Sequence, residues 1–223
     1  MRVDAVVVAA GRSTRFGEGD KLLANLNGRP VIAWSLAALG AAESVRQVAI
    51  VGREDLVGAL EAIGREVLGE ALEAVVPGGA RRRDSVEAGL RAVTSEYVAI
   101  HDGARPLVTV ELIDRCVAEA ANAAGAILVG PVTDTIKEVE EGAIVASPAR
   151  ERLRAAQTPQ VVRREAWLEA AALSDGDETD DAAMLARAGL EVRVVEGYPA
   201  NLKVTRPIDL ALAGALLAER GDG

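Results

Sequence analysis

The chain has 223 residues, 34 acidic against 25 basic, a formal net charge of −9, and half of its residues are hydrophobic. That length supports a well-buried core, and the acidic balance argues against the basic field of a nucleic-acid-binding domain, though not against a small anionic ligand held by local cations. The one cysteine, Cys116, excludes an intramolecular disulfide and a cysteine metal cluster, and with no run near the ~18 apolar residues of a membrane span and an apolar start too short for a secretory signal, a cytoplasmic protein is expected.

The first element, "VDAVVVAA" (3–10), is a continuous apolar run, as in strands of a parallel sheet covered on both faces. It breaks into "GRSTRFGEGDK" (11–21), which has neither the Walker A spacing nor the G-x-G-x-x-G dinucleotide fingerprint. Small residues at Ala9, Ala10 and Gly11 allow a base or phosphate to approach the backbone. Arg15 and Lys21 can set two positive charges on a polyphosphate; a solvated turn with surface cations is the plainer alternative. A helix follows over "RPVIAWSLAAL", with Pro30 near its first turn, where a missing N–H costs little.

Strands "QVAIVG" and "EAVVPG" come next. After the second stand Gly78, Gly79 and the run Arg81–Arg83, then a helix over "DSVEAGLRAV" with Asp84 or Ser85 available as its cap. The N–H groups at such a helix start favour an anion or a polar ligand edge. The three arginines suit phosphate and equally suit a solvated charge run.

The strand "YVAIHDG" is expected to end near His101, placing Asp102 at the carboxyl edge of the sheet, where ligands gather in α/β folds. A carboxylate there can hold Mg²⁺ bridging triphosphate oxygens, with Arg105 as a neighbouring cation. His101 is the only histidine; it is expected to pack or hydrogen-bond, not to serve as a general base. The helix "VELIDRCVAEAANAAG" carries Cys116 on its core side and is expected to stop at Gly125.

Beyond the strand "AILVGPV", two β-like pieces in "DTIKEVEEGAIVAS" read as a hairpin over about residues 134–150, an arm of the kind used for dimer contact or an ordinary edge hairpin. The helix "TDDAAMLARAG", the strand "EVRVVEG" and the helix "RPIDLALAGALLAER" complete the series. Strand–helix alternation of this kind makes one α/β domain with a mainly parallel sheet. Thr135, Arg150, Thr158, Thr179 and Lys203 each read alone as turn, cap or surface residues; their weight comes from occurring together in this order.

The motifs "AAGRSTRFG…K", "GGARRRDSV", "HDGARP", "DTIK", "TPQ", "TDD" and "NLKVTRPIDL" resemble, in order and over about Val6 to Leu212, the 2-C-methyl-D-erythritol 4-phosphate cytidylyltransferases. The resemblance implies a Rossmann-like, three-layer nucleotidyltransferase fold and a homodimer linked by the arm. It implies transfer of CMP from CTP to methylerythritol phosphate, with Mg²⁺ required and pyrophosphate released. By the same resemblance, Arg15 and Lys21 stabilise the transition state, and Arg150 and Lys203 position the acceptor phosphate, with Thr135, Thr158 and Thr179 as further acceptor contacts. Ala9, Ala10, Gly11, Gly79, Ser85, Asp102 and Arg105 fall on the nucleotide side, Asp102 also as the metal ligand. Tyr198, Pro199 and Ala200 offer no acidic residue before Asn201, so a second carboxylate for the metal is not expected from that loop. The rival readings are a ribitol 5-phosphate cytidylyltransferase or another sugar- or polyol-phosphate nucleotidyltransferase, and, from a different class, a nucleotide-binding regulator.

Overall fold

The continuous apolar runs become the middle of one sheet. The computed structural model describes residues 1–12, 14–17, 19–174 and 178–221. In chain order, β1 (Val3–Ala9) leads through a short ladder of β2 (Asn25–Leu26) and β3 (Arg29–Pro30) to α1 (Val31–Ala41), β4 (Val45–Gly52), α2 (Val57–Leu68), β5 (Leu72–Pro77) and α3 (Arg82–Arg91). Next come β6 (Tyr97–Asp102), α4 (Val110–Ala120), β7 (Gly125–Pro131), β8 (Glu138–Glu140) and β9 (Ala143–Ala146). Then β10 (Arg154–Arg163), α5 (Arg164–Leu173), α6 (Asp181–Arg187), β11 (Val192–Glu196) and α7 (Pro207–Arg220) close the chain.

The seven-stranded sheet runs β11-β7-β10-β6-β1-β4-β5. Its pairs are parallel except those of β10, which lies antiparallel to both β6 and β7. On one face Ile32, Leu36, Leu60, Leu112 and Ile113, from α1, α2 and α4, pack on Val7, Ile50 and Ala99. On the other, Val86, Leu90, Trp167 and Leu185, from α3, α5 and α6, cover Val6, Val51 and Ile100. Both faces are therefore dry, which is why the strands read as unbroken apolar runs; each Leu or Ile fully buried there contributes roughly 1.5–3 kcal/mol.

Two helix limits differ from expectation. The first helix after the glycines begins earlier, at Arg82, and Asp84 sits inside its first turn, its carboxylate accepting from the Arg81 N–H at 3.1 Å. The helix carrying Cys116 ends at Ala120, not Gly125. Gly125 instead opens β7, pressed against β10 so closely that a Cβ there would lie 2.5 Å from the Val161 carbonyl oxygen.

The strand β10 was not legible, because Pro159 interrupts it and a central strand rarely carries proline. The sheet accommodates it with a break in register between Ala156 and Gln160, spanning a cis Thr158–Pro159 peptide. The expected hairpin forms as β8–β9, joined by Glu141 and Gly142 at φ 47° and 83°, a two-residue turn that needs left-handed backbone at both positions.

Candidate active site

The carboxyl ends of β1, β4, β5 and β6 open onto a cavity of about 780 Å³ lined by Val8, Ala10, Gly11, Arg12, Gly79, Ser85 and Asp102, among others. The glycines are dictated by closeness: a Cβ on Gly78 would stand 2.4 Å from that of Ala10. Ser85 is buried and its Oγ accepts from the Gly79 N–H at 3.1 Å, so the start of α3 holds the glycine turn open. A second cavity, of about 270 Å³, is lined by Arg105, Gln157, Thr158, Gln160, Thr179 and Asp180. Arg82, Asp102 and Lys203 line both.

Asp102 is the electrostatic centre. Lys203 Nζ donates to its Oδ2 at 2.7 Å, and the guanidinium groups of Arg105 and Arg82 stand at 3.7 and 3.8 Å. Burial pushes the Asp102 carboxyl up, but Lys203, Arg82 and Arg105 more than offset this and hold it at about 2. Lys203 is delivered by a fixed loop. Buried Asn201 donates through Nδ2 to the Thr158 carbonyl at 3.0 Å, and the Val204 N–H donates to the Ala104 carbonyl at 2.8 Å.

His101 lies next to this cluster but inside the sheet, fully buried, with Nδ1 3.0 Å from Thr158 Oγ1. The same Oγ1 accepts from the Asp102 N–H at 3.0 Å. Burial holds the imidazole neutral, lowering its pKa from 6.5 to about 4. Because the folded pKa is depressed, this stability is fully present above pH 6.5 and is lost as pH falls through about 4. The loss expected across that window is on the order of 3 kcal/mol. Urea midpoints measured across it should show the drop, and His101→Gln should flatten it; equal slopes in both proteins would refute the assignment.

The residues expected at the site divide. Ala10, Gly11, Gly79, Ser85 and Asp102 line the first cavity; Thr158, Thr179 and Lys203 line the second, Lys203 sharing both. Ala9 lines neither cavity and its side chain lies in the core against α1, α2 and α4. Arg105 lines the second cavity, not the first, and its Nη1 and Nη2 donate to the carbonyls of Asn201 at 2.7 Å and Ala156 at 3.2 Å. The Thr158 hydroxyl is occupied by the internal bonds described above.

Arg15 and Lys21 line neither cavity, yet they share one field: burial lowers the Lys21 pKa, the Lys203 charge and more weakly Arg15 act with it, and Asp102 opposes. Ser13 of the same loop lies outside the described residues. Thr135 and Arg150 are exposed on the arm, Arg150 donating to the Thr133 carbonyl at 2.8 Å, and neither lines a cavity.

Sequence reasoning passed over Arg53, which follows β4 at the rim of the first cavity. Its Nη1 donates to Asp20 at 2.6 Å, and Asp20 also accepts from the Leu22 N–H at 2.9 Å, which pins the chain on both sides of Lys21. The rule that ligands gather at strand carboxyl ends points to this position as much as to Asp102.

A small-residue cradle beside a cavity ringed by cations has the charge and shape to suit phosphates. The family model described as IspD, 2-C-methyl-D-erythritol 4-phosphate cytidylyltransferase, matches residues 3–219. The chain belongs to that family. A 2-C-methyl-D-erythritol 4-phosphate cytidylyltransferase of Prochlorococcus marinus (strain MIT 9313) is 44% identical to it, with 97% of this chain and 99% of the relative covered. One of Thermosynechococcus vestitus is 41% identical over 96% and 95%.

Among solved structures, 4-diphosphocytidyl-2C-methyl-D-erythritol synthase from Anaerococcus prevotii superposes with a TM-score of 0.85 at 25% identity, covering 97% of this chain and 96% of that one. The 2-C-methyl-D-erythritol 4-phosphate cytidylyltransferase from Thermus thermophilus gives 0.78 at 31% identity, covering 98% and 100%. The family's Rossmann-like α/β fold is therefore the fold of this chain, and the relatives named here carry methylerythritol names, not ribitol ones. None of the described helices is long and apolar enough to cross a membrane.

Proposed function

We propose that the chain transfers CMP from CTP to 2-C-methyl-D-erythritol 4-phosphate, giving 4-diphosphocytidyl-2-C-methyl-D-erythritol and pyrophosphate for isoprenoid precursor synthesis. The observation that carries this reading is the pair of cavities meeting at Lys203, Asp102 and Arg82. The larger has the small-residue wall and the buried serine suited to a nucleotide, and the smaller has the size and cations suited to a phosphorylated polyol. The acceptor phosphate attacks the α-phosphorus in line and pyrophosphate departs.

A phosphate monoester, with a second pKa of about 6, is already an anion at neutral pH, so no general base is required. That agrees with a histidine buried as a neutral imidazole. The difficulty is bringing two anions together: at ~4 Å and an effective dielectric near 20, one like-charge pair costs on the order of 4 kcal/mol. Lys21 and Arg15 offset this at the α-phosphate and Lys203 at the incoming phosphate, stabilising charge that grows in the transition state.

The setting of Asp102 does not suit a metal held by the protein. Its carboxylate is paired with Lys203 and flanked by two arginines, and among the described residues no group of three metal-ligating side chains exists. Magnesium is better read as part of the substrate, arriving on the triphosphate. Asp102 then acts as the anchor of the cations and not as the metal's ligand.

The arm supports a homodimer. Val139, Ile144 and Val145 are at least half exposed on it, and Arg150 and Thr135 lie off this chain's own cavities, so they serve a partner's acceptor cavity. Arg150→Ala should chiefly raise the acceptor KM. Mixing Arg150→Ala with Lys21→Ala chains should restore part of the activity, because a mixed dimer holds one intact site. Mixtures no more active than the two variants apart would remove the shared site. Pyrophosphate release, measured with all four nucleoside triphosphates and with methylerythritol and ribitol phosphates, tests the function; preference for ribitol 5-phosphate or for a nucleotide other than CTP would overturn it.

A further inference from the structure

Of the three arginines after the glycine turn, Arg81 and Arg82 line the first cavity, and only Arg82 lines the second as well. Arg81 pairs with Asp84 on the exposed start of α3, and Arg83 donates to the carbonyls of Ala171 and Ser174 at 3.5 and 3.0 Å. Arg82 is one of the three residues that line both cavities, so its guanidinium stands where the two substrates must meet. What holds it there is Asp181. Arg82 Nη1 donates to Asp181 Oδ2 at 2.7 Å, and Trp167 Nε1 donates to the other oxygen, Oδ1, at 2.9 Å. Trp167 is wholly buried and Asp181 nearly so. The backbone next to Asp181 is itself fixed: the Ala182 N–H donates to Gln160 Oε1 at 2.8 Å, tying the first turn of α6 to β10.

A buried carboxylate is a poor way to gain stability, since a well-packed apolar residue generally does as well. It is a good way to hold one arginine. The long stem of an arginine otherwise samples many rotamers, and that freedom is lost on binding unless it is removed beforehand. Asp102 also attracts Arg82, but at 3.8 Å and already bonded to Lys203, so it does not fix the guanidinium by itself. We propose that Asp181 is a positioning residue for the transfer, its carboxylate shared between Trp167 and Arg82 so that the guanidinium is held at the partition between the nucleotide and acceptor cavities, facing the phosphates of both. This rests on the cytidylyl transfer proposed above.

The test is a double-mutant cycle of Asp181→Asn and Arg82→Ala, read as kcat and both KM values. Asp181→Asn should lower kcat about tenfold or more, the scale of a lost hydrogen bond to a charged group, with smaller changes in KM. In the Arg82→Ala background the same change should have almost no further effect. A merely structural role predicts losses that multiply, and that result, or full activity in Asp181→Asn, would overturn the proposal. Trp167→Phe removes the indole donor together with part of the buried ring, a packing loss common to both backgrounds, and covers the case in which Asp181→Asn does not fold. It should lower kcat several-fold in the wild-type background and not in Arg82→Ala; equal losses in both would also overturn the proposal. Wild-type pyrophosphate release is the control for the reaction itself. If it is absent, the cytidylyl reading fails, and calorimetric titration with CTP alone decides on Asp181: binding weakened by Asp181→Asn only when Arg82 is present upholds it, and unchanged binding overturns it.

Discussion

Lys21→Ala is expected to lower kcat by about 100- to 1000-fold, the usual effect of deleting one group aimed at transition-state charge, while the acceptor KM moves only a few-fold. Lys21 sits in a loop held on both sides of it, through Asp20 to Arg53 and by the Leu22 N–H, and Leu22 itself is buried in the core. Burial and the neighbouring Lys203 charge lower its pKa, with Asp102 opposing. Its charge thus lies in the same field as Lys203 and Asp102, where the transferred phosphate is placed by the proposed reaction. Steady-state kinetics with both substrates varied would separate kcat from KM, and near-normal turnover in the variant would sink the assignment.

Asp102→Asn should have the largest effect on stability. Lys203 and Arg105 lose their carboxylate and Arg82 keeps only Asp181; because Lys203 is 40% exposed and can turn to water, the cost falls below the about 3–5 kcal/mol of a fully buried pair. Thermal melts should show a lowered Tm. They should also show a larger stabilisation by CTP than in the wild type, because the triphosphate takes over the missing negative charge. A lowered Tm with no increase in the CTP effect would mean that Lys203 and Arg82 do not face the nucleotide. The wild-type ion cluster has its own acid limit. With the Asp102 pKa depressed to about 2 from 3.8, its contribution is complete above pH 3.8 and fades as pH falls through about 2, below the window set by His101.

The parallel strands were readable because burial on both faces writes them as apolar runs, and the loops after β1, β5 and β6 could be searched for chemistry on topology alone. The strand β10 could not be read that way. Its middle is Gln157, Thr158, Pro159 and Gln160, whose three polar side chains are buried because they line the second cavity and tie to other elements: Gln157 donates to the Tyr198 carbonyl at 2.9 Å, and Gln160 accepts from the Ala182 N–H. Nothing in local periodicity distinguishes such a segment from a loop. Asp181 escaped for a related reason. "TDD" reads as a helix cap, and Asp180 is indeed the cap, accepting from the Ala183 N–H at 2.7 Å. The carboxylate one position later meets Arg82, which is 99 residues away in the chain. Lys203 and Asp102 are similarly distant, separated by 101 residues. Only the fold's closure of long loops brings such pairs together.

The antiparallel pairing of β7 with β10 bears on how this protein can change. The pairing reaches Arg154 opposite Pro131, so the arm leaves and re-enters the sheet at neighbouring positions. Everything between those two residues is, in effect, the tip of a hairpin rooted in the core. Closing a longer loop at a fixed root costs little, since each doubling adds only about 0.6 kcal/mol. Insertions and deletions there leave strand register untouched, yet they move Arg150 and Thr135 bodily with respect to any neighbouring subunit. Length, not sequence alone, thus sets how far Arg150 and Thr135 stand from the sheet, apart from the residues that keep the sheet folded.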